Sequence, residues 1–334
     1  MATIYQVSEL AGVSLATVSR VMNGGTRVSE KTREKVNKAM ETLNYRPSSI
    51  ARSLASNCSN SVGILVSELH GPIYGAMMSG IEKQLRTAGK HVIIAAGHSD
   101  AASEKDGIEF LIARNCDALI LHVEAVSDEY LIELATTQHK FILINRYIPQ
   151  IADNCISLNN RRGGYLATKA LLENGHRDIA YISGPLWKMD ASDRYLGHQE
   201  ALAEHGIICN DALLSEGNFQ EEGGNECMLA LLETKIPFSA VVCANDEMAA
   251  GAMQAARDKG MAVPNDISVM GFDNVLLAQY MYPKLSTVNY PVQDMGKMAA
   301  SWILKNIYQA NQPDVSHVFE PELVWRDSVI SLKR

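Results

Sequence analysis

Ile4-Tyr5-Gln6-Val7-Ser8-Glu9-Leu10-Ala11-Gly12-Val13-Ser14-Leu15-Ala16-Thr17-Val18-Ser19-Arg20-Val21-Met22-Asn23 reads as two short helices joined by a tight turn. Thr3 and Gln6 have the spacing of a capping box, so a first helix starts there. Val7, Leu10 and Ala11 share one face at helical spacing, and Gly12 supplies the backbone freedom that ends the helix. Ser14 is placed to cap a second helix. Its Val18, Val21 and Met22 fall on one side, leaving Leu15, Ala16, Thr17, Ser19, Arg20 and Asn23 mostly on the other. That outer face is short, polar and singly basic, the size and chemistry of a helix that enters a DNA major groove.

Two amphipathic helices joined at a glycine are a common arrangement, so the flanking sequence has to decide. Ser29 opens a third helix whose Val36, Ala39, Met40 and Leu43 can close a small core, with Lys31, Arg33, Lys35 and Lys38 on its exposed side. Residues 1–57 carry eight Lys and Arg against four Glu, although the whole chain is at −8. A basic head on an acidic body fits a phosphate-binding module attached to something that avoids DNA.

The run 11–23, followed by Val28-Ser29-Glu30-Lys31-Thr32-Arg33 and Leu43-Asn44-Tyr45-Arg46-Pro47, resembles the bacterial LacI/GalR family of repressors, and the resemblance covers essentially the whole chain. It implies an all-α helix-turn-helix head on an α/β, two-lobed, periplasmic-binding-protein-like (type I) body with parallel sheets. It also implies DNA contacts from Thr3, Tyr5, Ser14, Leu15, Ala16, Thr17, Ser19, Arg20, Asn23, Arg27, Ser29 and Thr32. The expected divisions are a head at 1–46, a hinge helix and linker at 47–60, and a two-lobed body at 61–334.

Length and composition agree with such a plan. A chain of 334 residues with 47% hydrophobic and 20% charged residues suits several globular cores, and no run of about 18 apolar residues could span a membrane. The N-terminus lacks a basic segment followed by an apolar core, so a secretory signal is not expected and the cytoplasm is. Cys58, Cys116, Cys155, Cys209, Cys227 and Cys243 form no CxxC pair, which fits reduced thiols without zinc or disulfides. Neither a metal nor another cofactor is expected.

After the head, Pro47-Ser48-Ser49-Ile50-Ala51-Arg52-Ser53-Leu54-Ala55 has room for about two helical turns, marginal in water by itself. Composition favours a plain linker. The resemblance implies instead a hinge helix that orders on operator DNA, with Leu54 wedged into the minor groove and Ala51 where paired helices meet.

From Val62 onward short apolar runs alternate with helical stretches. Strands are expected at 62–66, 92–96, 118–123, 141–144, 179–183, 240–243 and 267–270, with helices at 74–88, 103–114, 128–137, 163–173, 193–205, 223–232 and 246–259. This is βαβ alternation, hence parallel sheets covered on both faces. The resemblance adds three crossings between lobes, one lobe at about 61–160 plus 291–320 and the other at about 161–290 plus 321–334.

Ligands of open parallel sheets collect beyond the carboxyl ends of strands. The residues there are polar: Ser67 and Glu68, His98, His122, Asn145 and Arg146, Ser183, Asn245 and Asp246, Asp273 and Asn274. Amides, imidazoles and carboxylates of this kind pair with sugar hydroxyls, and Tyr74 or Phe219 can wall a sugar ring. Asp246 can also be read as a helix cap, Asp273 as a turn residue and Arg194 as a solvated arginine. The resemblance implies an effector site with Arg194, Asn245 and Asp273 as ligands, Asn145 and Phe219 lining it, and Ser67, His98 and His122 as weaker carry-overs. Arg194 and Asp273 are expected on opposite walls of one cleft.

Within the family the resemblance is to galactose-type repressors, carried by Ala118-Leu119-Ile120-Leu121-His122, Leu143-Ile144-Asn145-Arg146, 154–158 and Gly75-Ala76-Met77. His70-Gly71-Pro72-Ile73-Tyr74 departs from them, which makes a β-glucoside the rival effector, and a purine or nucleoside is the family's other alternative. The expected partners are operator DNA, a small sugar and a second copy of the chain, as a dimer or a larger assembly, with no membrane. An enzyme reading is disfavoured because no GxGxxG, GxxxxGK[ST] or GxSxG motif occurs. A periplasmic sugar-binding protein is disfavoured by the basic head and the missing signal.

Overall fold

The computed structural model describes residues 2–22, 28–46 and 58–333, in two units, Met1–Asn60 and Ser61–Arg334. Asn23, Arg27, Ala51 and Leu54, and with them the whole hinge segment, lie outside the described residues.

The first unit holds α1 (Ile4–Ala11), α2 (Leu15–Met22) and α3 (Glu30–Thr42). Each start is set by a hydroxyl. Gln6 N–H donates to Thr3 Oγ1 and Thr3 N–H to Gln6 Oε1, a complete capping box, while Ser14 accepts from Thr17 N–H and Ser29 from Thr32 N–H. Gly12, at φ +64°, takes the left-handed conformation that ends α1. Val7, Ala11, Val18, Val21, Val36 and Ala39 form the core, with Met40 and Leu43 packed against it. Leu10 departs from the sequence expectation, being 53% exposed. The stripe that α1 buries runs at i, i+4 through Val7 and Ala11, and Leu10 lies round its edge.

The second unit is built on two parallel sheets. In the first half of the chain come β1 (Ser61–Val66), α4 (Pro72–Thr87), β2 (His91–Ala96), α5 (Ala101–Ala113), β3 (Ala118–Leu121), α6 (Asp128–Thr136), β4 (Phe141–Ile144) and β5 (Cys155–Leu158). Then follow α7 (Asn160–Glu173), β6 (Ile179–Ser183), α8 (Met189–Glu204), β7 (Leu214–Glu216), α9 (Glu221–Glu233), β8 (Ala240–Cys243), α10 (Asp246–Asp258) and β9 (Ser268–Met270). The chain closes with α11 (Leu276–Tyr280), β10 (Thr287–Asn289), α12 (Val292–Asn306), β11 (Val318–Phe319) and β12 (Glu322–Val324).

The sheets are ordered β11-β5-β4-β3-β1-β2 and β7-β6-β8-β9, every pairing parallel. Runs such as Phe-Ile-Leu-Ile in β4 and Ala-Val-Val-Cys in β8 are buried throughout because helices cover both faces. β5 of the first sheet leads into α7, which packs on α8 in the second lobe; β10 leads into α12, which returns to pack on α4; β11, an edge strand of the first sheet, leads into β12, which pairs antiparallel with β10. The chain therefore passes three times between lobes, and segments distant in sequence meet at the crossings.

The α7–α8 contact depends on two glycines. A Cβ on Gly164 would lie 1.9 Å from the Arg194 carbonyl oxygen, and one on Gly197 would lie 2.0 Å from the Arg161 carbonyl oxygen. Backbone meets backbone there, and that close approach fixes where α8 carries the Arg194 side chain.

Candidate functional site

On the head, the outer side of α2 presents Leu15, Ala16 and Arg20 exposed, with Thr17 and Ser19 half-buried. Tyr5 on α1 is exposed as well. Thr3, Ser14, Ser29 and Thr32 are engaged in capping, and the Ser14 and Ser29 hydroxyls lie 2.9 Å from those of Thr17 and Thr32. They remain at the surface, so a cap and a phosphate contact are compatible. The arrangement is a small polar face with one guanidinium on a three-helix core, whose geometry suits groove entry.

In the body, the carboxyl ends of both sheets open on one cleft of about 810 Å³, part of it open to solvent. Tyr74, His122 and Asn145 line it from the first lobe; Arg194, Phe219, Asn245 and Asp273 from the second. Seven of the nine expected effector residues thus meet. The other two are corrections. Ser67 is fully buried behind the wall, with Oγ 3.1 Å from His122 Nδ1, so it orients that imidazole and does not line the space. His98, 63% exposed and 3.3 Å from Glu68 Oε2, lies outside the lining, although its neighbour Ser99 belongs to it.

Arg194 and Asp273 also need correcting, since they share one wall and touch. Arg194 Nη1 donates to Asp273 Oδ1 at 3.4 Å and to the Ala244 carbonyl at 2.6 Å, and Nε donates to Asn160 Oδ1 at 2.9 Å. Its guanidinium lies 3.8 Å above the Phe272 ring centroid and is 2% exposed. Hidden from solvent, this cation is held by carbonyls, a carboxylate and a ring face. Asp273 follows β9 in a left-handed turn, φ +104°, and burial pushes its carboxyl upward against the pull of Arg194.

The polar network continues across the cleft. Asn160 Nδ2 donates to Asn145 Oδ1 at 3.0 Å, and Asn145 Nδ2 to Asp190 Oδ2 at 3.3 Å, tying the end of β4 to the starts of α7 and α8. A second tie is the ion pair of Lys188 Nζ with Glu124 Oε2 at 2.7 Å, both side chains 13% exposed. Glu124 sits on a loop whose backbone N–H groups at 124, 125 and 126 all donate to the buried carboxylate of Glu104. Burial pushes the Glu124 carboxyl up, but His122, Lys188 and Ser99 together hold it below the ordinary value.

Tyr74 meets His122 edge-on, centroids 5.5 Å apart, and burial together with Glu124 and Asp190 raises its phenol. Asn245, rather than Asp246, caps α10: its Oδ1 accepts from Met248 N–H while Nδ2 holds the Phe219 carbonyl at 2.9 Å. Asp246 is buried beneath, accepting from Val275 N–H and the Thr287 hydroxyl, with burial pushing its carboxyl up to about 7. Arg146 turns from the cleft to Asp128 and the Val126 carbonyl.

Lys188, Asp190, Glu124, Glu247 and Tyr290 line the cleft without having been singled out. Lys188 and Asp190 precede the expected helix start at 193, because α8 begins at Met189. Tyr290 is 5% exposed and its hydroxyl has no hydrogen-bond partner among the described residues. No group of His, Cys, Asp and Glu among the described residues could hold a metal, and no described helix is long and apolar enough to cross a membrane.

Residues 3–48 match the family described as bacterial regulatory proteins, lacI family, and residues 168–329 match a periplasmic binding protein-like domain. The chain is 41% identical over 329 residues to the HTH-type transcriptional regulator GalR of Escherichia coli K12, covering 98% of this chain and 96% of that one. It is 35% identical to the HTH-type transcriptional repressor PurR of Glaesserella parasuis, with both chains fully covered. A lac repressor dimer bound to operator and an anti-inducer superposes with a TM-score of 0.86 at 29% identity, over 98% of this chain and 99% of that one.

Proposed function

This chain belongs to the lacI family of bacterial regulatory proteins and is a ligand-responsive DNA-binding repressor, not an enzyme, and from that premise we propose that its effector is a sugar, galactose before others. The observation that carries the sugar reading is the polar lining of Arg194, Asp273, Asn145 and Asp190, tied together by the buried Asn160 behind it, whose donors and acceptors alternate within hydrogen-bond reach beside Phe219 and Tyr74. Rings carrying several hydroxyls need that alternation and a flat apolar wall. The 41% identity to GalR makes galactose the first candidate.

The repressor works in the cytoplasm as a homodimer on a palindromic operator, its α2 helices in successive major grooves. The exposed Leu276, Tyr280 and Tyr282 on and after α11 supply apolar surface for pairing. Thr3, Tyr5, Ser14, Leu15, Ala16, Thr17, Ser19, Arg20, Ser29 and Thr32 face the DNA; Arg194, Asn245, Asp273, Asn145, Phe219, Tyr74 and His122 face the sugar. Ligand favours the closed lobes, joined by the Glu124–Lys188 and Asn145–Asp190 contacts, and shifts the equilibrium by its differential affinity for the two states.

Calorimetry on the full chain and on Asp273→Ala, with galactose, a β-glucoside and a purine base, tests this. Galactose binds the wild type, and the variant binds it roughly ten- to a hundredfold more weakly, since the guanidinium and the sugar both lose an acceptor. The variant still holds its operator and no longer releases it with sugar. Purine binding with neither sugar bound overturns the sugar reading in favour of a purine effector, the ligand class that the PurR likeness at 35% identity would supply.

A further inference from the structure

The cleft lining carries five carboxylates, Glu68, Glu124, Asp190, Glu247 and Asp273, against two fixed cations, Lys188 and Arg194. Both cations already have protein partners. Lys188 is 2.7 Å from Glu124 and 3.1 Å from the Ser99 hydroxyl, and Arg194 is saturated at Nε and Nη1, its Nη2 facing Asp190 Oδ2 at 3.9 Å. Glu68 has His98 at 3.3 Å and His70 at 3.7 Å.

Glu247 is different. In the first turn of α10, its carboxylate forms no ion pair among the described residues, and its hydrogen bond is from Asn245 Nδ2 at 3.5 Å. Burial, with Glu221 nearby, pushes the carboxyl up to about 7, as an unneutralised charge in a half-closed space requires. Independently, the Tyr290 hydroxyl in the same lining is 5% exposed and unpartnered, a vacant hydrogen bond of the kind a ligand hydroxyl fills.

We propose that the cleft selects its ligand by charge, with Glu247 setting the selection: it takes the neutral or ammonium-bearing form of a polyhydroxy ring and rejects the phosphorylated or carboxylated form. The inference rests on the sugar reading above and deepens it. An anionic substituent would meet the unmatched Glu247 carboxylate, ionised above about pH 7, with no free cation to receive it in a partly desolvated space. An ammonium would instead supply Glu247 with the partner that it lacks. A repressor built this way responds to a free sugar and is blind to the product of the phosphoryl transfer that consumes that sugar.

Calorimetry on the full chain with galactose, galactosamine, galacturonate and galactose 6-phosphate reads the selection. Galactosamine is expected to bind at least as tightly as galactose, and the two anions at least about tenfold more weakly. In Glu247→Gln the galactosamine-to-galactose affinity ratio falls about tenfold and the penalty on the anions shrinks; retained operator binding shows that the variant is folded. Either anion binding the wild type within about threefold of galactose, or ratios unchanged in Glu247→Gln, overturns the proposal. If no sugar binds, the sugar reading fails by itself, and the charge selection is then read on guanosine against guanosine 5′-monophosphate, where equal binding overturns it.

Discussion

The head keeps its polar chemistry outside its core, whereas the body carries polar groups within its interior and opens its cleft onto them. Every buried residue among the described part of the head is apolar, and its polar residues stand outside on a face that α2 presents. The body buries Arg194, Asp273, Asp246, Glu104, His176 and His198, and its cleft is an opening into that polar interior. A DNA backbone is large and charged and is met by a surface with nothing hidden. A sugar must exchange each of its water hydrogen bonds for a protein one, so the groups that receive it have to be fixed by neighbours before it arrives. Binding to DNA is thus written along one contiguous stretch, whereas binding to ligand depends on segments brought together by topology.

The sharpest way to break this comparison is to put a charge where the head has none. Val18 is fully buried between α2 and α3. Val18→Asp leaves an unpaired carboxylate there at a cost of at least about 3 kcal/mol, comparable with all the stability that so small a core supplies, about 3–5 kcal/mol. Operator binding in a gel-shift assay is expected to vanish, with effector affinity within about twofold of wild type, since the cleft lies wholly in the second unit. Loss of both activities would show that the units do not fold independently.

A smaller change probes the face without touching the core. Arg20 is exposed on the outer side of α2. Arg20→Ala should weaken the best operator by about 1–3 kcal/mol, the size of one base-edge or phosphate contact. Unchanged operator affinity in fluorescence anisotropy would remove Arg20 from the reading face. The expectation that Leu54→Ala lowers specific more than non-specific binding concerns the hinge, outside the described residues.

The same contrast explains what could be read in the sequence. The caps at Thr3, Ser14 and Ser29 depend on residues three apart, so the head was legible almost residue by residue; Leu10 was misplaced because helical spacing gives a face without saying how wide a neighbour covers it. In the body the long apolar runs announced the main strands. Strands β5, β7, β10, β11 and β12 were not singled out: β11 has only two residues, and Ser157, Ser215, Asn289 and Glu322 interrupt or flank the apolar residues of the other four. Strand ends pointed to His122, Asn145, Asn245 and Asp273. They could not reveal that Arg194 reaches Asp273 on the same wall, which depends on the α7–α8 approach at Gly164 and Gly197, nor that Lys188 meets Glu124 across the crossings. Tyr290 was visible as the end of a crossing, but its vacant hydroxyl is a three-dimensional fact.

The mildest test turns on pH, to which the head's apolar core should be indifferent and the body's interior should not. His198 on α8 lies between Tyr181 and Tyr195, ring centroids 4.7 and 5.9 Å away, and is 2% exposed. Its Nδ1 is 2.9 Å from Thr168 Oγ1, whose own proton goes to the Gly164 carbonyl at 3.0 Å, so Nδ1 carries the hydrogen and Nε2 is the atom that would take a second proton. Protonating Nε2 there puts an unsolvated charge in the core, and burial accordingly pushes the imidazole from its ordinary 6.5 down to about 3. The unfolded chain then binds a proton that the folded one refuses. Stability that is present above about pH 6.5 is therefore lost progressively as the pH falls toward about 3. Asp246, pushed up to about 7, works in the opposite direction, because the folded state holds its proton more tightly, so the slope of the wild type mixes the two. The comparison that isolates His198 is urea unfolding of wild type and His198→Gln at about pH 7 and about pH 6, where the wild type should lose somewhat less than about 1 kcal/mol relative to the variant. Parallel pH dependence in the two proteins would mean that solvent reaches the imidazole, and that this part of the body's interior is not sealed as the packing of its rings implies.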